Sequence, residues 1–267
     1  MGGKRVRCAG LVVLSALVLG APLALSQGTN PNERYVKPGG NVQDADASRN
    51  AKLWVLDFKF KDPRLIKVNI PGRGQKVCWY LWYEVINHTG EPRTFIPDFQ
   101  LVTHDTRMVY KDQILPAAEE AIRKVEDPDN YYRIKNSVTI AGTPIPVSLP
   151  KAAPRPVTGV AIWMDPNEPY PDDDEAAKKE KAKLPKLADS NRYSIFIAGL
   201  SNGWSLSDDP AEPGKKSVVR RKTLQLNFRR LGDKYEMKSE EIRFLPPAQW
   251  VYRGSSVKLD LPAKKKK

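Results

Sequence analysis

Cysteine and histidine are scarce: the 267 residues hold two of each. Cys8 falls in a leader-like N-terminus, so a processed chain keeps Cys78 alone and can form no internal disulfide. Stability must then come from a core, which a chain of this length can build. One cysteine with His88 and His104 also falls short of a typical structural zinc site. Phosphate-binding loops are missing, since Gly72 and Gly74 in "PGRGQK" lack both the spacing and the following helix. Beyond the N-terminus there is no apolar run of membrane-spanning length. No repeat of about 20 to 50 residues marks a solenoid or propeller. No cofactor is expected.

Proline, lysine and arginine are plentiful. The 23 prolines exceed what a helical bundle tolerates and suit short strands joined by loops. The six tryptophans supply core volume. Lys4, Arg5 and Arg7 precede the apolar stretch "LVVLSALVL", and Ala24 and Ser26 offer small residues before a cleavage point. This pattern predicts a signal peptide over residues 1–26 and an exported product of the periplasm, cell surface or medium. Loss of three basic leader residues takes the formal charge from +13 to +10. Lys264, Lys265, Lys266 and Lys267 close a basic tail at 255–267 that could meet an anionic surface, or simply keep the chain soluble. Export makes an envelope polysaccharide or another exported protein the expected partner, and argues against intracellular nucleic acid.

Residues 27–50 are rich in Gly, Pro, Asn and Asp and read as a flexible linker. Period-two alternation then begins. In "KLWVLDFKFK", Trp54, Leu56, Phe58 and Phe60 fall on one face, and "LIKVNI" continues the alternation. "KVCWYLWYEVINHTGEP" is apolar on both faces, which predicts a central strand in a covered sheet. Its one charge, Glu84, then needs a basic partner or a strand end. "RTFIPDFQLVTHD", "YRIKNSVTI", "VTGVAIWM", "RYSIFIAG", "VVRRKTLQLNFRRL", "YEM", "EIRFL" and "QWVY" read as further strands, with Pro97 marking an edge, bulge or break and "LGDK" a hairpin turn. "QILPAAEEAIRKVE" predicts one helix with Leu115, Ala118, Ile122 and Val125 on its buried face. Residues 165–190 form a charged insertion without a core-forming face. About nine or ten short strands with turns between them predict an all-β fold. The expected domain is an antiparallel immunoglobulin-like β-sandwich over 51–254, with one short helix.

Few residues qualify for chemistry. Cys78 and His88 share parity on one strand but lie roughly 33 Å apart at strand rise, so His88 is not a base for Cys78. A hairpin after His88 would bring His104 opposite Cys78, and a one-residue slip would remove it again. A thiol in an aromatic strand is ordinarily inert packing. Gly199 to Gly203 spells G-x-S-x-G, but no histidine follows His104 and no helix signal follows Gly203, so an Asn202-Gly203 turn fits better. Asp165, Asn167, Glu168 and Asp172 to Glu175 offer oxygen ligands, yet Tyr170 stands where a calcium loop requires glycine. Asn87-His88-Thr89 is a glycosylation sequon. Trp204, Trp250 and Tyr252 are the candidate sugar-stacking residues, Trp204 first because it sits beside a turn. The leading expectation is a non-catalytic binding or structural module, with an exported hydrolase using Cys78 or Ser201 as the alternative.

"RYSIFIAGLSNGW", "KTLQLNFRRLGDKYEM" and "IRFLPPAQWVYR" resemble segments of secreted planctomycete proteins of unknown function. "WYLWYEVINHTGEPRTFIPDFQLV" is similar in pattern to extracellular immunoglobulin-like modules. Neither resemblance implies catalytic residues.

Overall fold

The structure is a computed structural model. It describes residues 33–36, 53–167, 169, 171–209, 212–231 and 242–254. In chain order the first strands are β1 (Glu33–Val36), β2 (Asp57–Lys61), β3 (Arg64–Ile70), β4 (Gly74–Ile86), β5 (Arg93–Thr94), β6 (Asp98–Thr103) and β7 (Val109–Lys111). Helices α1 (Pro116–Glu126) and α2 (Ser137–Ala141) follow, then β8 (Pro144–Ile145), β9 (Val157–Met164) and helix α3 (Glu175–Lys183). The chain continues with β10 (Arg192–Ala198), β11 (Trp204–Asp209), β12 (Glu212–Arg230) and β13 (Ile242–Gly254).

The fold is all-β and antiparallel. In the first sheet β4 is central. β9 flanks one edge, while β2 and β3 lie end to end along the other. Pairing runs Phe60↔Tyr83 on β2 but Arg64↔Tyr80 on β3, a one-residue slip across Asp62-Pro63, where proline has no amide to donate. In the second sheet β12 is the long strand. β13 pairs along one edge, β10 and β11 along the other, and β6 and β7 extend the sheet beyond β10.

The sheets face one another across the aromatic core. Tyr83 of β4 meets Phe99 of β6 at 4.9 Å between ring centroids, and Trp79 meets Tyr193 of β10 edge-on at 5.5 Å. Both faces of β4 are covered, as its sequence requires. Trp79, Leu81, Tyr83 and Val85 fill the inter-sheet core, while Cys78 and Tyr80 join Val160, Ile162 and Met164 beneath Ala118 and Ile122 of α1. The helix is thus a third layer on the back of the first sheet. Glu84 finds its partner in Lys59 at 3.1 Å.

Several expectations are corrected. Residues 33–36, inside the stretch read as linker, pair with β2 as an edge strand. "YRIKNSVTI" is no strand: Asn136 caps α2, with Thr139 closing a reciprocal capping box. Val125 is 59 % exposed, and Glu126 turns inward in its place. Pro97 marks the passage from the short β5–β8 ladder into the second sheet. Within the charged insertion α3 buries no residue. The "LGDK" turn after Leu231, the "YEM" segment, the leader and the lysine tail lie outside the described residues.

Candidate functional site: a basic sheet face

Residues directly opposed in an antiparallel pair share a face. In the second sheet Tyr193, Ile195, Ile197, Leu224, Leu226 and Phe228 point into the core. The alternate residues therefore point outward. Reading across strands, Arg192 opposes Arg229, which opposes Arg243. Further along, Trp204 opposes Arg221, which opposes Arg253. Ser194–Asn227 and Phe196–Gln225 are the ranks between them. Like charges opposed across strands are destabilising, so the opposed Arg192–Arg229 and Arg221–Arg253 pairs carry a cost that contacts elsewhere must offset.

A groove of about 500 Å³ opens over the first ranks, lined by His104, Arg192, Asn227 and Arg229. Its far wall is Leu245, Pro246 and Pro247. These prolines sit where the β13 register jumps from Asn227↔Leu245 to Gln225↔Gln249, an irregularity suited to residues without amide donors. Among the described residues Arg192, Arg221 and Arg229 form no ion pair. Arg243 and Arg253 do feel carboxylates, Asp62 and Asp98 respectively. The Arg253 guanidinium lies 3.7 Å over the Phe196 ring, a cation–π contact that fixes its plane. Burial lowers the Arg253 pKa and Asp98 opposes that.

The floor of the groove is a hydrogen-bond chain. Ser194 Oγ donates to Asn227 Oδ1 at 2.7 Å, and Gln225 Nε2 donates to the same oxygen at 2.8 Å. The serine has one proton, so His104 Nε2, 2.7 Å away, is the donor in its contact with Ser194 Oγ. In that tautomer His104 does not activate the serine, whose side chain is in any case buried. Asp105, next to His104, is held below its usual pKa chiefly by the Asn191 amide, with Ser190 and the Arg192 amide adding to it. The cluster therefore links His104, Ser194, Asn227 and Gln225 from the end of β6 across β10 to β12 at the floor of the groove.

The residues singled out in the sequence separate. Trp204 is half-buried and shares the outward face with Arg221. Trp250 is 3 % exposed and belongs to the core, so its ring has no open face. Tyr252 opposes Lys222, on the side of β13 that faces away from the groove. Cys78 is fully buried beneath α1 in the first sheet, whereas His104 follows β6 in the second, so the hairpin that would have joined them does not form. His88 contacts Asp57 instead, Nδ1 to Oδ2 at 3.0 Å. Ser201 Oγ donates to the Trp54 carbonyl at 2.8 Å and accepts the Gly203 amide at 3.0 Å, closing a turn. Asn87 of the sequon is fully buried, with its amide bonded to the carbonyls of Glu91 and Ile145. Asp165 accepts the amides of Asn167 and Leu187 and so ties down the charged insertion.

A second polar cluster lies on the back of the first sheet. Glu126 accepts from Lys61, Arg64 and Tyr80 at 2.8, 2.8 and 2.9 Å. Burial pushes its carboxyl up, but these partners outweigh that and hold it below its usual range. Lys61 also lies 4.4 Å over the Trp82 ring. Every member is engaged within the fold, so this cluster fastens α1 and leaves the arginine face as the candidate site. The arginines were missed because Arg192 meets Arg229, and Arg221 meets Arg253, only through strand register. The outward parity of Arg229 in "KTLQLNFRR" was the one signal available.

No family model matches the chain, and neither a curated protein nor a solved structure matches it.

Proposed function

We propose that this protein is an exported, non-catalytic binding module of the periplasm or cell surface, holding an acidic envelope polysaccharide on the outward face of its second sheet. The observation that carries the reading is the opposed Arg192–Arg229 pair at the edge of the groove. Planar guanidinium groups match carboxylates in a two-pronged geometry that lysine cannot offer. The amides of Gln225, Asn227 and Gln249 nearby suit sugar hydroxyls. Export itself rests on the leader pattern, and that pattern favours a glycan over nucleic acid as the polyanion.

The test is retention of the full processed chain on a polygalacturonate resin, compared with neutral dextran and single-stranded DNA. Retention on the uronate polymer alone is expected. Arg192→Gln with Arg229→Gln should weaken it at least about tenfold, since charged hydrogen bonds contribute about 1.5–3 kcal/mol each and solvent exposure reduces that. Equal retention on dextran, tighter binding to DNA, or an unaffected double variant would each overturn the proposal.

A further inference from the structure

We infer that the ligand is a linear acidic oligosaccharide lying along β12 across several sugar units, not a compact sugar seated in the groove alone; this rests on the acidic-polysaccharide reading above. The groove accounts for only one end of the basic face. At the other end a smaller depression is lined by Asp98, Phe196, Arg221, Thr223 and Arg253. The two adjoin through the opposed Phe196–Gln225 pair, since Phe196 lines one and Gln225 the other. Trp204 flanks Arg221 on the side away from Arg253.

Arg229 and Arg221 are separated by about 27 Å of extended strand. No single monosaccharide or disaccharide reaches both. Between them the outward residues are uncharged: Asn227 and Gln225 are half-buried, and Thr223 is buried with its hydroxyl on the Arg221 carbonyl. The face therefore reads as a basic end, a neutral polar middle and a second end where Arg221 and Arg253 outnumber the single carboxylate of Asp98 and Trp204 supplies an aromatic ring. A chain of uronic acids fits this order. Carboxylates meet the arginines, hydroxyls meet the amides of Asn227 and Gln225, and one ring face stacks on Trp204. Arg253 is held in place by Phe196 before any ligand arrives, so little side-chain entropy is lost on binding there.

Calorimetric titration of the full processed chain with galacturonic acid oligomers, from disaccharide to octasaccharide, tests this. Affinity should climb with length, with the hexasaccharide about a hundredfold tighter than the disaccharide, because the second end binds at high effective concentration. Trp204→Ala, and separately Arg221→Gln with Arg253→Gln, should shrink that length advantage toward unity, with melting temperature confirming each fold. If the disaccharide binds as tightly as the hexasaccharide, the extended track is wrong and the acidic-glycan reading stands. If no length binds, both fall. A length advantage that survives both sets of substitutions would also overturn the track.

Discussion

Gly199 has φ +96°, and a Cβ there would overlap the carbonyl of Ile96. The glycine in G-x-S-x-G is thus required by backbone shape and close approach, not by a nucleophile elbow. Around it, Leu56 donates its amide to the Leu200 carbonyl at 2.7 Å, and Trp54 donates to Asn202 Oδ1 at 2.9 Å. The turn fastens the chain entering β2 to the chain leaving β10. Gly199→Ala should cost about 3 kcal/mol or more by overpacking and strain. Ser201→Ala should cost only about 1–2 kcal/mol for two hydrogen bonds. Urea denaturation of both variants checks the order, and a reversed order would contradict this account. Asp112 is a second residue whose surroundings are measurable. Burial pushes its carboxyl up to about 6, against hydrogen bonds from Ser137 and from the amides of Ile162 and Gln113. The folded state therefore holds a proton that the unfolded state has already released, so the contribution of Asp112 to stability is greatest below about pH 4, falls towards pH 6 and levels off above it. Asp112→Asn should flatten that part of a melting-temperature profile; an unchanged slope would refute the assignment.

Helix α1 binds to the first sheet through an apolar stripe and a charged anchor. Ala118 and Ile122 are fully buried over β3 and β4, and Glu126 at the C-terminal end meets Lys61 and Arg64. Removing one member of a buried ion pair leaves the other charge desolvated. Glu126→Ala should therefore destabilise the protein by about 3–5 kcal/mol. Replacing Lys61 by Met in the same chain should recover part of that loss, as a double-mutant cycle in urea would measure. The apolar stripe was legible because Leu115, Ala118 and Ile122 repeat at helical spacing. Glu126 was not, because its burial depends on basic groups more than 60 residues earlier in the chain. The same limit governs the strands. Alternation in β4 announced a doubly covered strand, and alternation in β12 announced which residues point outward. Neither could say which strands lie alongside, and adjacency is what turns scattered arginines into a row. α2 was misread as a strand because Val138, Thr139 and Ile140 are β-formers, while the deciding residue was the cap, Asn136.

At the scale of the molecule, two concentrations of positive charge stand out, the arginines on one sheet face and the four lysines from Lys264 to Lys267. These two sets should respond differently to salt. Lysine runs attract a polyanion as point charges through solvent, and that attraction fades as the screening length falls from about 10 Å at 0.1 M to about 3 Å at 1 M. Guanidinium groups that meet carboxylates directly add geometry-dependent hydrogen bonds, which screening weakens less. Deleting the four lysines should thus lower retention on polygalacturonate at low salt by a modest factor and leave high-salt retention close to that of the full chain. Substituting Arg192 and Arg229 with glutamine should lower retention at both salt concentrations, and a chain carrying both changes should lose binding entirely. Retention of all four proteins across a salt gradient separates the contributions. Loss of all binding on deletion of the lysines alone would assign recognition to the tail, and the arginine face would then need another explanation.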